Sequence, residues 1–178
     1  YHPAANYFGP DAITFKAADC IGDSNLATVS ITVNPVNDDP ALGAIGNRTI
    51  DEMVPYSITL TSTDVDGGGA VYLASVLPAG ASVSGNTFSW TPAENQGPGD
   101  YPITFSVSDG AGGTDSETIN IHVNEVNVAP TLDAIADITA DEMTLITFDA
   151  DGHDSDLPGQ TLTYSIVGAI APISGGFI

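Results

Sequence analysis

A chain of 178 residues with 42% hydrophobic side chains can build one large or two small packed domains, which excludes a disordered polypeptide. Its two Lys+Arg against 23 Asp+Glu leave a formal net charge of −21, which repels nucleic acid and anionic membranes and attracts cations. The single cysteine, Cys20, allows no intrachain disulfide or thiolate metal site, and no apolar run approaches the ~18 residues that span a bilayer. Any export signal is expected to lie outside these residues or to have been removed.

From the N terminus, Ile13–Cys20 (ITFKAADC) reads as a strand running into a turn. The acidic linker PVNDDP, residues 35–40, follows. Ile58 and Leu60 then alternate at period two, and the cluster Asp66–Gly69 marks a turn. Trp90 lies on a short strand, FSWTP, closed by Pro92, with its indole expected in a core or at a sheet edge. Ile103, Phe105 and Val107, then Ile119, Ile121 and Val123, each put apolar groups on one face, and Asp109–Gly113 turns between them. No stretch combines helical periodicity with caps. About seven short strands in some ninety residues, with no disulfide, is what an all-β, immunoglobulin-like two-sheet sandwich needs.

The ninety-residue spacing is a repeat. PVNDDPALGAIGNRTIDEM (35–53) matches EVNVAPTLDAIADITADEM (125–143) at an offset of 90, with ten identities in nineteen positions. The same offset pairs ITFKAADC with ITFSVSDG (103–110) and places Asp64 and Asp66 over Asp154 and Asp156. Residues 41–130 are therefore one complete repeat; residues 1–40 match only the back half of a repeat and 131–178 only the front half. Reading Ile178 into Tyr1 gives SGGFIYHPAANYFGPDAITF, parallel to SGNTFSWTPAENQGPGDYPITF (84–105). Half a sandwich leaves an apolar face wet and its edge strands open, so each half needs a complement. Two arrangements supply it: a window in a continuous fibre, or a subunit whose N-terminal half completes the C-terminal half of the next copy, head to tail. The cut falls inside one predicted strand, which favours the window.

In a seven-strand sandwich the linker Asn37-Asp38-Asp39, the pair Asp64-x-Asp66 and the turn residue Asp109 fall at one pole. Five carboxylates crowded there repel one another, and a divalent cation is the natural compensation. Calcium takes six to eight oxygen ligands gathered from several loops.

VNDDP, DEM, DVDG, FSWTP and FSVSDGAGGTDSETINIHV resemble the cadherin-like, dystroglycan-type and immunoglobulin-like tandem repeats of bacterial and archaeal secreted surface proteins. The resemblance implies an extracellular or cell-surface setting and calcium between domains, held by such a linker, a D-x-D pair and a Glu near the end of the preceding domain's first strand. Carried over by position, Glu52 faces the next junction with Asn127, Asp154 and Asp156. Glu142 serves the Asn37 junction across the splice, and Asp19 is the counterpart of Asp109. Val128 and Ala129 stand where Asp38 and Asp39 stand, so the second junction is expected to bind calcium more weakly. Such domains occur in adhesins, stalks, filaments and accessory modules of secreted enzymes; the leading expectation here is a structural fibre or stalk with calcium-stiffened junctions, with an adhesin repeat or a carbohydrate-binding accessory module as the alternative.

Asn47-Arg48-Thr49 is a sequon, so a glycan on Asn47 is expected on alternate domains, because the matching Asp137-Ile138-Thr139 lacks the Asn. His2, His122 and His153 are scattered and pair with no Ser or Cys, and the glycines serve hairpins rather than a phosphate loop. Catalysis is not expected.

Overall fold

The structure is a computed structural model in which residues 1–168 are described; the spliced strand proposed around Ile178 lies outside the described residues. A hairpin of β1 (Gly9–Phe15) and β2 (Ala27–Val33) comes first. The central repeat carries β3 (Ala41–Leu42), β4 (Arg48–Asp51), β5 (Tyr56–Thr59), β6 (Ser62–Thr63) and β7 (Val71–Ser75). It continues with β8 (Ser82–Ser84), β9 (Thr87–Trp90), β10 (Gly99–Ser108) and β11 (Thr114–Asn124). A two-residue ladder of β12 (Thr131–Leu132) and β13 (Gly152–His153) follows. The one helical segment among the described residues is a single 3-10 turn, Glu94–Gln96.

One sheet of the central unit has the order β4-β11-β10-β7; the other has β5-β9-β8, with β3-β6 as a short ladder beside it. Taking β3–β4 and β5–β6 as two bent strands, each serving both sheets, gives the seven strands of an immunoglobulin-like sandwich. Alternation makes the core. Ile103, Phe105 and Val107 on β10, and Ile119, Ile121 and Val123 on β11, point inward and are buried, as are Phe88 and Trp90 on β9. Phe88 meets Phe105 edge-on at 5.3 Å between ring centres, and Trp90 meets Tyr101 at 4.9 Å. The indole Nε1 donates to the Ala79 carbonyl at 3.1 Å, which satisfies the buried ring's only donor.

The inward face of β11 changes chemistry part-way along. Asp115 and Glu117 share the face of Ile119, Ile121 and Val123, close to where the chain between β3 and β4 crosses from one sheet to the other. Backbone amides at such a crossing have no ladder partner. Asp115 accepts from the Leu42 amide at 2.7 Å, and Glu117 accepts from those of Ile45 and Gly46 at 2.7 and 2.9 Å. These bonds hold the Glu117 carboxyl below the usual glutamate range, the Ile45 amide first.

The DEM motif forms the same local bend in both repeats, with Met53 at φ 59° and Met143 at φ 64°. Among the described residues no helix is long and apolar enough to cross a membrane.

Candidate metal centres at the two ends of the central sandwich

The two acidic ends of the central unit lie at opposite ends of β11. At its start, three loops meet. After β6, Asp64 Oδ1 accepts from the Asp66 amide at 2.8 Å, and Asp66 Oδ2 accepts from the Asp38 amide of the linker at 2.6 Å. After β10, Asp109 Oδ1 takes the amides of Ala111, Gly112 and Gly113 at 2.7, 3.0 and 3.0 Å. Its other oxygen accepts from Asn37 Nδ2 at 2.7 Å. The Asn37 amide is the first cause, and the loop amides a further one, that keep the Asp109 carboxyl below the ordinary aspartate range.

Two glycines allow this convergence. A Cβ on Gly113 would collide with Asp109 Oδ2 and lie 2.9 Å from Asp39 Oδ1, and one on Gly68 would lie 3.4 Å from both Asp64 Oδ2 and Asp109 Cβ. Asn37, Asp38, Asp39, Asp64, Asp66 and Asp109 thus lie in one loop cluster. Glu142 and Asp19 lie elsewhere in the chain and are exposed. Asp19 caps its own turn, accepting from the amides of Ile21 and Gly22 at 2.8 Å each.

The other end is denser. Glu52, just after β4, is fully buried; its Oε2 accepts from the Gly97 amide and its Oε1 from that of Val126, each at 3.1 Å. Glu94 opens the 3-10 turn and Glu125 follows β11. Carboxylate oxygens of Glu52, Glu94 and Glu125 all lie within 4.8 Å of one another. Glu94 Oε1 and both oxygens of Glu125 are shut off from solvent without a hydrogen-bond partner. Loss of solvent, and next the Glu52 charge, push the Glu125 carboxyl above the usual glutamate value.

The second linker closes over this group. Asp156 is fully buried and accepts from the Val128 amide through both oxygens, at 2.9 and 3.1 Å. Asp154 Oδ1 takes the Asp156 amide at 3.1 Å, and Gln160 Nε2 reaches Asn127 Oδ1 and Asp156 Oδ2 at 3.2 Å each. The structure therefore brings Glu52, Asn127, Asp154 and Asp156 to one end. It adds Glu94 and Glu125, which the repeat-based reading leaves out. Their counterparts in the first half-repeat are Ala5 and Pro35, so a search for repeated identities passes over both. With them, the second end groups three carboxylates within 4.8 Å of one another, two of which the ligand count behind the expectation of weaker binding does not include. The donors at both ends are oxygen alone, with no His or Cys, which suits a hard cation rather than zinc or copper.

The remaining candidates stand apart. His122 Nδ1 lies 2.9 Å from Asp100 Oδ1, on the outer face of its sheet, and His153 Nε2 lies 3.3 Å from Asp133. Asn47 is exposed, with its Oδ1 accepting from the Asn120 amide at 2.8 Å. Cys20 is exposed at the end of the first hairpin.

Residues 37–122 match the family model described as Bacterial Ig domain. The chain is 26% identical over 180 residues to Integrin beta-like protein E of Dictyostelium discoideum, a match covering 85% of this chain and 9% of that protein. The chain thus spans under a tenth of that relative's length. Among solved structures, human CDH23 EC21-23 superposes with a TM-score of 0.51 at 19% identity, over 83% of this chain and 55% of that one. Drosophila N-cadherin EC1-4 gives a TM-score of 0.45 at 15% identity, over 64% and 31%. With its two-sheet topology and its core, the central repeat has an immunoglobulin-like, cadherin-like sandwich fold, and residues 37–122 of it are similar to the bacterial Ig domain.

Proposed function

We propose that the chain is a structural segment of an extracellular fibre or stalk, and that calcium held at the ends of its sandwiches stiffens the junctions between them. The observation that carries the reading is the group Glu52, Glu94 and Glu125. Three carboxylates within 4.8 Å, one fully buried and two with solvent-free, unpartnered oxygens, are an arrangement that folding alone does not favour. A divalent cation answers both the repulsion and the missing partners. With Asn127, Asp154 and Asp156 the end offers six oxygen-bearing side chains, within the range calcium requires. Glu52, Glu94 and Glu125 belong to the sandwich and the other three to the linker and the next unit, so one ion ties two units together. At the first end, Asn37, Asp38, Asp39, Asp64, Asp66 and Asp109 are the corresponding donors. Glu142 of a neighbouring copy would supply the glutamate. The ion's role is to replace repulsion by attraction and to remove hinge freedom.

Catalysis has no part in this reading. Asn47 is exposed on an outer edge, where a glycan would not disturb the core; glycopeptide mass spectrometry of native material that found only bare peptide would remove that element. An adhesive role is the second reading, favoured by the name of the integrin beta-like relative, and binding of the isolated chain on a glycan or cell-surface array would support it. The test of the calcium reading is thermal unfolding followed by Trp90, with calcium, with magnesium and with chelator. Calcium should raise the midpoint more than magnesium does; identical curves would sink the reading.

A further inference from the structure

The central sandwich keeps its charges away from one side. Residues 67–93 hold no charged side chain, the longest such run in a chain whose net charge is −21. The run builds β7, β8 and β9; β7 and β8 are the outermost strands of their sheets and touch along the same side of the unit. Among the described residues β7 pairs with β10 alone, so its other edge presents a row of unpaired amides and carbonyls. Proteins guard such edges with charge, proline, shortness or a bulge. β4, the other edge of this sheet, carries Arg48 and Asp51; β8 is three residues long, and β5 follows Pro55. β7 has none of these guards: its five residues keep an unbroken register, and Val71 and Leu73 on its outward face are 52% and 58% exposed.

Just past the strand, Val76 sits at φ 59°, a conformation that a β-branched residue resists, and its side chain is 80% exposed. It extends the apolar strip of Val71 and Leu73. The strand does not need these groups in order to form, since the next repeat has Thr161 and Thr163 at the positions of Val71 and Leu73, and threonine suits a strand as well. We propose that β7 is an edge through which two copies of the chain associate, β7 of one lying antiparallel to β7 of the other about a two-fold axis at Leu73.

Charge and self-complementarity both select a second copy as the occupant. Copies at −21 repel one another through their acidic ends, and the uncharged side is where they meet at least cost. Antiparallel pairing about Leu73 sets Leu73 against Leu73 and Val71 against Ser75, and it merges two four-stranded sheets into one of eight. The contact uses the same patch on both copies, so it closes as a pair. With few apolar side chains on each copy it lies below the ~1,200 Å² of a stable complex, and a single contact is short-lived. Along a fibre of such units the contacts add, so that fibres bundle side by side. The association goes beyond the fibre reading and requires no calcium.

Disulfide trapping in chelator tests it, with single-cysteine variants each combined with Cys20→Ser. Leu73→Cys should form a disulfide-linked homodimer on oxidation, because opposed residues in an antiparallel ladder are close enough for that bond. Ser75→Cys alone should link at least ~10-fold more slowly, since its two thiols are then offset by about 14 Å along the strands. Mixing Ser75→Cys with Val71→Cys should restore fast linking between the two, which removes thiol reactivity as the cause. The positions are exposed, so Trp90 emission should stay native in all three. The same order should hold at ~1 M salt, where the Debye length is ~3 Å and repulsion no longer chooses the side. That order at low and high salt supports the proposal. Equal rates, a different order, an order lost at high salt, or no linking at all overturns it. None of these results decides the calcium reading, which the unfolding comparison tests separately.

Discussion

Replacing Glu125 by Gln should reverse the sign of its effect on stability according to whether calcium is present. Without calcium, Glu125 brings a charge into a site where Glu52 and Glu94 lie within 4.8 Å and where its own oxygens have no donor. An uncharged amide of the same shape removes that repulsion, and E125Q should unfold at a higher temperature than wild type. With calcium, the same change removes one of six ligands. Even outer-sphere partners of a metal cost ~10–100-fold in affinity when lost. For wild type at a calcium concentration 100 times Kd, binding adds about 2.7 kcal/mol. A unit of about ninety residues shifts its midpoint by roughly 4–8 °C per kcal/mol, so the calcium-induced rise is roughly 10–20 °C. At the same calcium concentration a 100-fold weaker site leaves about 0.4 kcal/mol, a rise of a few degrees. Trp90 is the chain's one tryptophan and sits in the central core 2% exposed, so its emission reports this unit alone. If E125Q lowers the midpoint equally in calcium and in chelator, Glu125 is an ordinary structural residue and the reasoning fails.

Three further outcomes follow from the geometry. A Cβ on Gly97 would lie 2.5 Å from Glu52 Oε2 and 2.8 Å from the Asn124 carbonyl, so Gly97→Ala should cost ~1–3 kcal/mol and erase the calcium response in Trp90-monitored melts. Glu117 is held below its ordinary pKa by the Ile45 and Gly46 amides, so its contribution is complete above pH about 4.5 and is lost as pH falls through its depressed folded value. Acid unfolding of Glu117→Gln should therefore match wild type at the acid end and fall short of it at neutral pH, and a constant difference across pH would refute that assignment. Phe105→Ala should cost ~3–5 kcal/mol, whereas Phe15→Ala, at an exposed position, should change stability by less than ~0.5 kcal/mol; denaturant titration separates the two.

Much of the fold was legible because the strands that matter most alternate cleanly. Ile103, Phe105 and Val107, and Ile119, Ile121 and Val123, announce a half-buried hairpin before any coordinates are seen, and the offset of 90 marks the unit. The convergence of Asn37, Asp38, Asp64, Asp66 and Asp109 at the first end was legible for the same reason, since turn residues at fixed positions in a sandwich share a pole. Glu94 and Glu125 were not. They sit where the repeats differ, and their significance lies in burial and mutual distance, which period and spacing do not carry. Asp115 and Glu117 were invisible in another way: their alternation continues the inward pattern of β11 as polar residues, and only the crossing of the chain between β3 and β4 explains why carboxylates face inward there.

The most direct measurement is a calorimetric titration of calcium into the chelator-treated chain at neutral pH, with Gly97→Ala alongside. The account predicts saturable binding at or below the millimolar range typical of extracellular calcium modules, and its loss in Gly97→Ala. Absence of a binding heat up to about 10 mM calcium, ten times the weak end of that range, or equal binding by the two proteins, contradicts it.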